Sequence, residues 1–366
     1  RKQEAEQLLL DLDHLYAMHQ QGVEEIRIYR YWERLGGENR AMAYLESVDK
    51  TLQRQEDEDI FLKVDLVSDL AVTFYWNKIG VTIAEKILEA KKNKLGHDHP
   101  DFALSYNKLG SAYYNKGEYD RAIEYYEKSL TIKLEKHGQD HPDVAQSYKS
   151  LGSAYEQKGE YDRAIEYYEK SLKIRLEKLG QDHPDVAQSY NKLGSAYQCK
   201  GGYDRAIEYY EKSLKIRLEK LGHDHPDVAQ SYNSLGSAYF RNGEYDRAIE
   251  YYEKSLKILR EKLGHDHPFV TNPYNNLGNA YQCKGEYDRA IEYYEKSLKI
   301  LREKLGHDHP FVKHPYNNLG MAYKNKGELD KAGEYKAMSR WSELRGEGEF
   351  VNNVDPDAFE KEVGIP

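Results

Sequence analysis

Two cysteines in 366 residues, Cys199 and Cys283, leave no disulfide framework to hold this chain together. Long hydrophobic runs are also missing. None approaches the roughly 18 to 20 residues that span a bilayer, and the mean hydropathy is −0.92, so the sequence predicts a soluble protein with no membrane partner. Nothing near Arg1 has the apolar core and small-residue cleavage site of a signal peptide. The chain starts without methionine, and it reads as a piece of a longer, cytoplasmic protein. Excess positive charge is absent: a net charge of −9 opposes the attraction that supplies most non-specific nucleic-acid affinity. There is no Gly-x-Ser-x-Gly elbow, and no phosphate-cradling glycine loop precedes a helix, because the Gly-Ser-Ala-Tyr segments lie inside predicted helices. The expectation is a non-enzymatic protein without cofactors.

What is present is tyrosine, 34 residues against 8 phenylalanines, and a strict period. The glycine of a Leu-Gly pair recurs at Gly110, Gly152, Gly194, Gly236, Gly278 and Gly320, at intervals of 42 residues. Prolines from Pro100 to Pro310, tyrosines from Tyr113 to Tyr323 and a second glycine series from Gly117 to Gly327 keep the same register. Within one copy, Val144, Tyr148, Leu151 and Tyr155 advance by four, three and four, which marks one face of a helix. After Gly159, the set Tyr161, Ile165, Tyr168, Leu172, Leu176 and Leu179 marks a second helix. Pro142 and Asp143 suit a first turn, and Gly180 suits a left-handed C-terminal cap. Each copy is therefore a helical hairpin. A hairpin this short buries too little to fold alone, so neighbours must stack on one another. Gly152 and its equivalents fall mid-helix, where glycine costs about 1 kcal/mol relative to alanine; close approach of the second helix is the predicted reason.

Tyr148, Leu151, Gly152, Tyr155, Gly159, Tyr161, Ala164, Tyr168 and Ser171 resemble the tetratricopeptide repeat signature. The 42-residue length, prolonged second helix and His-Pro linker are similar to the kinesin light chain subtype. The resemblance implies an all-α fold, a right-handed α-solenoid of stacked helix-turn-helix hairpins. Six repeats occupy 97–340, the last acting as a cap. Residues 64–96 align with 106–138 as a degenerate repeat. Residues 1–63 read as a degenerate helical region, with a helix from Glu4 to about Gln20 and a divergent repeat over 22–60, and 341–366 reads as a polar tail.

The His-Asp-His-Pro linkers (His97/His99, His223/His225, His265/His267, His307/His309) could present paired imidazoles to a metal. Each offers at most two histidines and an aspartate, and the same residues make sensible caps and turns, so no metal is expected. The two cysteines stand two repeats apart, beyond disulfide reach, and are predicted to be free thiols. Differences between copies gather at the end of the first helix, as in Gln198-Cys199 against Phe240-Arg241. In the tetratricopeptide fold first helices line a concave groove. By resemblance, the lining positions are Asn107, Lys149, Asn191, Asn233, Asn275 and Asn317, with a second row at Ser111, Ser153, Ser195, Ser237, Asn279 and Met321. Asparagine amides can hold the backbone of an extended peptide; the alternative is a solvated polar face left by repeat duplication. Phe240 and Arg241 are the expected anchors, since aromatic residues and arginine dominate binding energy.

The leading expectation is a scaffold whose groove binds a peptide or helix of a partner protein, in the manner of a cargo adaptor. The alternative is a sensor or autoinhibitory arm of a larger signalling protein. Self-association through the open ends of the solenoid is a third possibility. At Pro273 and Pro315 the sequence predicts broken first helices beginning at those prolines, with Asn272 and His314 before them and Phe269 and Phe311 exposed.

Overall fold

The computed structural model describes residues 102–306 and 310–346, with isolated positions between 81 and 92. The expected helix at 4–20, the divergent repeat at 22–60, most of the degenerate repeat at 64–96 and the tail beyond 346 lie outside the described residues. The chain divides into two compact units, residues 1–180 and 181–366. In the first, α1 (Phe102–Asn115) pairs with α2 (Tyr119–His137), and α3 (Pro142–Lys158) with α4 (Tyr161–Leu179). In the second, α5 (Pro184–Lys200) pairs with α6 (Tyr203–Leu221), α7 (Pro226–Arg241) with α8 (Tyr245–Leu263), α9 (Thr271–Cys283) with α10 (Tyr287–Leu305), and α11 (Lys313–Lys326) with α12 (Leu329–Gly346). There is no strand among the described residues. Each unit is a run of α-solenoid hairpins.

Local chemistry explains the punctuation. The histidine before the linker proline caps the following helix in three linkers: Nδ1 of His141, His183 and His225 accepts the backbone N–H of Asp143, Asp185 and Asp227 at 3.1 to 3.2 Å. Proline fills the first helical position, where no N–H is needed. Two kinds of glycine end the helices. Gly159 closes α3 in the left-handed region at φ 85°, ψ 6°, the form expected of Gly180. Gly180 differs from that expectation: at φ 81°, ψ 168° it turns the chain out of α4 through a region open essentially only to glycine.

The mid-helix glycines admit a tyrosine. The Tyr168 ring lies so close to Gly152 that a Cβ there would stand 2.6 Å from its Cδ1. The same holds for Gly110 with Tyr126, Gly194 with Tyr210, Gly236 with Tyr252 and Gly278 with Tyr294. Ser171 completes the join, its buried hydroxyl donating to the carbonyl of Ala145 across the hairpin at 2.7 Å. A second tyrosine set forms a three-ring stack in every hairpin. Tyr251, for example, stacks between Tyr239 at 5.3 Å and Tyr232 at 6.0 Å, with the Lys254 ammonium over it. These two sets account for much of the tyrosine content, because a flat ring fills the gap between helices and its hydroxyl reaches a polar partner at the rim.

Successive hairpins are joined in two ways. Between α6 and α7 the Arg217 guanidinium donates to the Asp227 carbonyl and to Ser231 Oγ, both at 2.9 Å; between α2 and α3, Lys133 donates to Ser147 at 3.0 Å. Burial lowers the pKa of both cations. Further along, Leu259 and Leu301 take the place of the cation and Pro273 and Pro315 that of the serine, all four buried. Here the first helix starts differently. Pro268–Val270 and Pro310–Val312 form 3₁₀ turns, and α9 and α11 begin at Thr271 and Lys313. The break falls where the prolines predict it, but Asn272 is not a cap and Pro273 is the third helical residue. Any first-turn position spares proline a hydrogen bond, not the first alone. His267 still caps the turn, accepting from Phe269 N at 3.2 Å.

Candidate functional site: the first-helix face

Within residues 181–346 the first helices of successive hairpins, α5, α7, α9 and α11, pack against one another, while the second helices make no comparable contact. The face formed by first helices is thus the inner one. Asn191, Asn233 and Asn275 lie half-buried on successive helices of it, and Asn317 is exposed on α11. In the first unit Asn107 and Lys149 are half-buried at the matching positions of α1 and α3.

The ladder is chemically uneven. Asn233 Oδ1 accepts from Asn276 Nδ2 on the next first helix at 2.9 Å, so its amide already joins two repeats. Asn191 Oδ1 and Asn275 Oδ1 are buried and accept no hydrogen bond within the chain. Gln198 is similar: its Nε2 donates to Ser237 Oγ at 3.0 Å, while its Oε1 is buried without a donor. An unmet buried acceptor costs about 1 to 3 kcal/mol. This face therefore carries three carbonyl oxygens that lack a donor and are closed to solvent as the side chains stand.

The second row is already engaged. Ser111 and Ser153 bond the hydroxyls of Tyr126 and Tyr168 at 3.1 and 3.0 Å. Asn279 Oδ1 accepts from the Tyr294 hydroxyl at 2.7 Å. Each is where the interhelical tyrosine surfaces after passing its glycine, and burial pushes the Tyr126 phenol up to about 12. Glu156 also belongs to this layer: buried, it accepts from the Tyr168 hydroxyl at 2.7 Å. Sequence reasoning missed this role, because the position holds Tyr114, Glu156, Gln198, Phe240, Gln282 and Lys324 in turn and no period flags it. Phe240 is half-buried, its ring 5.6 Å from that of Tyr245, whereas Arg241 is exposed at the end of α7. Met321, in copy six, is 53% exposed and adds the one apolar member of the row.

Among the described residues no three histidine, cysteine, aspartate or glutamate side chains gather as a metal site, and no helix is long and apolar enough to cross a membrane. Cys199 and Cys283 are exposed and form no disulfide.

The tetratricopeptide repeat model matches this chain in overlapping segments from 80–135 to 269–339. No curated protein matches it significantly. Among solved structures, a putative kinesin light chain with nearly identical repeats from Podosopora anserina is 28% identical over 57% of this chain and 99% of its own, with a TM-score of 0.51. BtubC (BKLC) from P. vanneervenii is 24% identical over 65% of this chain and 95% of its own, with a TM-score of 0.55. The apo form of RapI, 16% identical, covers 79% of this chain and 99% of its own with a TM-score of 0.59. The latter two likenesses bear on the fold alone. With the model matching well over half its length and hairpins of the expected build, this chain belongs to the tetratricopeptide repeat family, with repeats of the kinesin light chain type.

Proposed function

We propose that this protein is a non-enzymatic, cytoplasmic interaction scaffold that binds a peptide segment of a partner protein along its first-helix face, in the manner of a cargo adaptor. The observation that carries the reading is the pair of buried, unmet acceptors at Asn191 and Asn275. Turned outward, these amides would meet the row of free backbone N–H groups that an extended peptide offers, whereas a helix has spent its own. A Rap regulator of plasmid pLS20, 17% identical with a TM-score of 0.51, has been solved in complex with the Phr* peptide; that complex concerns the Rap protein and lends the fold's capacity for peptides as support. Arg241, exposed beside this face, adds a cation for the peptide's side chains or carboxyl end.

The test is affinity capture compared across three forms of the full chain: wild type, Asn191→Ala/Asn275→Ala, and the outer-face control Lys215→Ala/Lys257→Ala/Lys299→Ala. The reading requires a partner lost by the asparagine variant and kept by the lysine variant. The opposite pattern would place binding on the second helices and sink it.

A further inference from the structure

The linkers α2–α3, α4–α5 and α6–α7 share one cap and differ in what stands four residues before it. In each, the imidazole of His141, His183 or His225 accepts a backbone N–H through an unprotonated Nδ1. Four residues earlier the later two linkers have Leu179 and Leu221, whereas α2–α3 has His137. The His137 and His141 rings stack there, 4.3 Å apart between centroids and 20° from parallel. Asp143, in the first turn of α3, is the carboxylate placed to pair with these imidazoles, its Oδ2 3.6 Å from His141 Nδ1. It already has a cation in its field: Lys133 of α2, whose ammonium donates to Ser147 Oγ at 3.0 Å, while that hydroxyl donates to the Asp143 carbonyl at 3.2 Å. From α4, packed on the start of α3 through the Ser171 bond to Ala145, Arg175 donates to Gln146 at 3.3 Å. The remaining charged side chains at this end, Glu135 and Lys136 on α2, Asp140 in the linker and Lys178 on α4, are exposed.

We propose that the α2–α3 linker is an acid-sensitive joint of the solenoid, closed while at least one of its two stacked imidazoles is neutral and opened when both carry a proton. Imidazole changes charge between about pH 5 and 8. A proton on His141 Nδ1 turns the cap's acceptor into a donor, so the Asp143 N–H loses its partner and the imidazolium turns to the Asp143 carboxylate. At the two leucine linkers the exchange ends there, one cation against one carboxylate. At α2–α3 the His137 ring ends its helix, where the dipole favours a positive charge, and a second imidazolium then lies face to face with the first. Like charges at this distance oppose the stack, and Asp143, already in the field of the Lys133 ammonium, cannot offset both. The closed joint lacks protons that the opened one takes up, so falling pH favours opening and a return to neutral pH restores the cap. Opening frees the first turn of α3 and with it the Lys133–Ser147 bond that joins the two hairpins. The inference does not depend on what the first-helix face binds.

The test is amide exchange in the full chain at about pH 7.5 and about pH 5.5, corrected for the intrinsic rate at each pH and read at 143–145 against 185–187 and 227–229. The three segments remain distinguishable by mass, because Lys149-Ser150, Asn191-Lys192 and Asn233-Ser234 follow them. Acid is expected to lower protection at 143–145 by at least about tenfold more than at the other two. His137→Leu, which installs the residue of the other linkers, should remove that excess. His141→Asn, a cap that takes up no proton, should remove the acid response of 143–145 altogether. Equal losses in all three linkers, no loss at 143–145, an excess that survives His137→Leu, or an acid response that survives His141→Asn would each overturn the proposal.

Discussion

The Tyr252 ring occupies the space that a side chain on Gly236 would need: a Cβ there would stand 2.6 Å from Cε1 and 3.2 Å from the Ala248 carbonyl. The first contact involves a ring that is itself buried, and the second involves backbone, so neither can give way freely. Gly320 is the counter-example. Copy six has Lys336 where the others have the tyrosine, and a Cβ at Gly320 meets its nearest atom at 3.4 Å.

Alanine substitutions at these two glycines should therefore move stability in opposite directions. Gly236→Ala is expected to cost about 1 to 3 kcal/mol through overpacking. Gly320→Ala should be neutral or gain up to about 1 kcal/mol of helix propensity. Denaturant unfolding of both variants checks this, and equal effects would mean that the glycines are kept for some reason other than the ring.

The two junction types should not accept each other's residues. Leu259→Arg places a guanidinium opposite Pro273, which has no hydroxyl to receive it, and a buried donor left unmet costs about 1 to 3 kcal/mol. Arg217→Leu should cost less, since it removes a desolvated cation and leaves Ser231 Oγ bonded to the Asp227 carbonyl at 3.1 Å. Adding Pro273→Ser to Leu259→Arg should recover part of the loss, with a coupling of about 0.5 to 3 kcal/mol. Additive effects in the double-mutant cycle would show the two positions to be independent.

The asparagine ladder should split when tested for stability alone. Asn191→Ala and Asn275→Ala remove acceptors that have no donor, so their melting temperatures should match or exceed wild type. Asn233→Ala breaks the 2.9 Å bond from Asn276 and should be destabilising by about 1 kcal/mol. A thermal melt of each single variant decides it; a large loss at Asn191 or Asn275 would make those amides structural.

Alkaline pH should unfold the protein through its interhelical tyrosines. Burial raises the phenol pKa of Tyr126, Tyr168, Tyr252 and Tyr294 above the ordinary value near 10, to about 12 for Tyr126. The unfolded chain then releases protons first, so the stabilisation is complete below about pH 10 and declines as pH rises toward 12. Each such tyrosine steepens the decline by about 1.4 kcal/mol per pH unit. Helical circular dichroism followed together with tyrosinate absorbance tests this: Tyr126→Phe should flatten the slope, and helicity unchanged through pH 12 would refute the linkage.

The fold was legible because its signals are periodic. Gly152 and Tyr168 are sixteen residues apart in five copies, and that fixed spacing is a contact between two helices written into the sequence. The break before Pro273 was legible too, from proline chemistry alone, although the start at Thr271 was not. The expected groove was harder to read, since whether an asparagine is free depends on its neighbour one repeat away. Asn233 looks identical to Asn275 in sequence, yet Asn276 occupies its oxygen, and position 276 follows no period that would announce this. The serine row fails for the same reason: Ser153 reads as a lining residue until the Tyr168 hydroxyl is placed beside it.

The residues that must match at a junction, Arg217 with Ser231 or their counterparts Leu259 and Pro273, stand on either side of a linker and belong to different hairpins. Heredity would therefore preserve compatibility if it copied or deleted segments cut through the middle of helices, leaving each linker with both of its flanks. Crossovers between unlike linkers would join an arginine to a proline or a leucine to a serine. Changes in repeat number should then be confined within stretches of one junction type, and the boundary at α8 should stay fixed as the array lengthens or shortens.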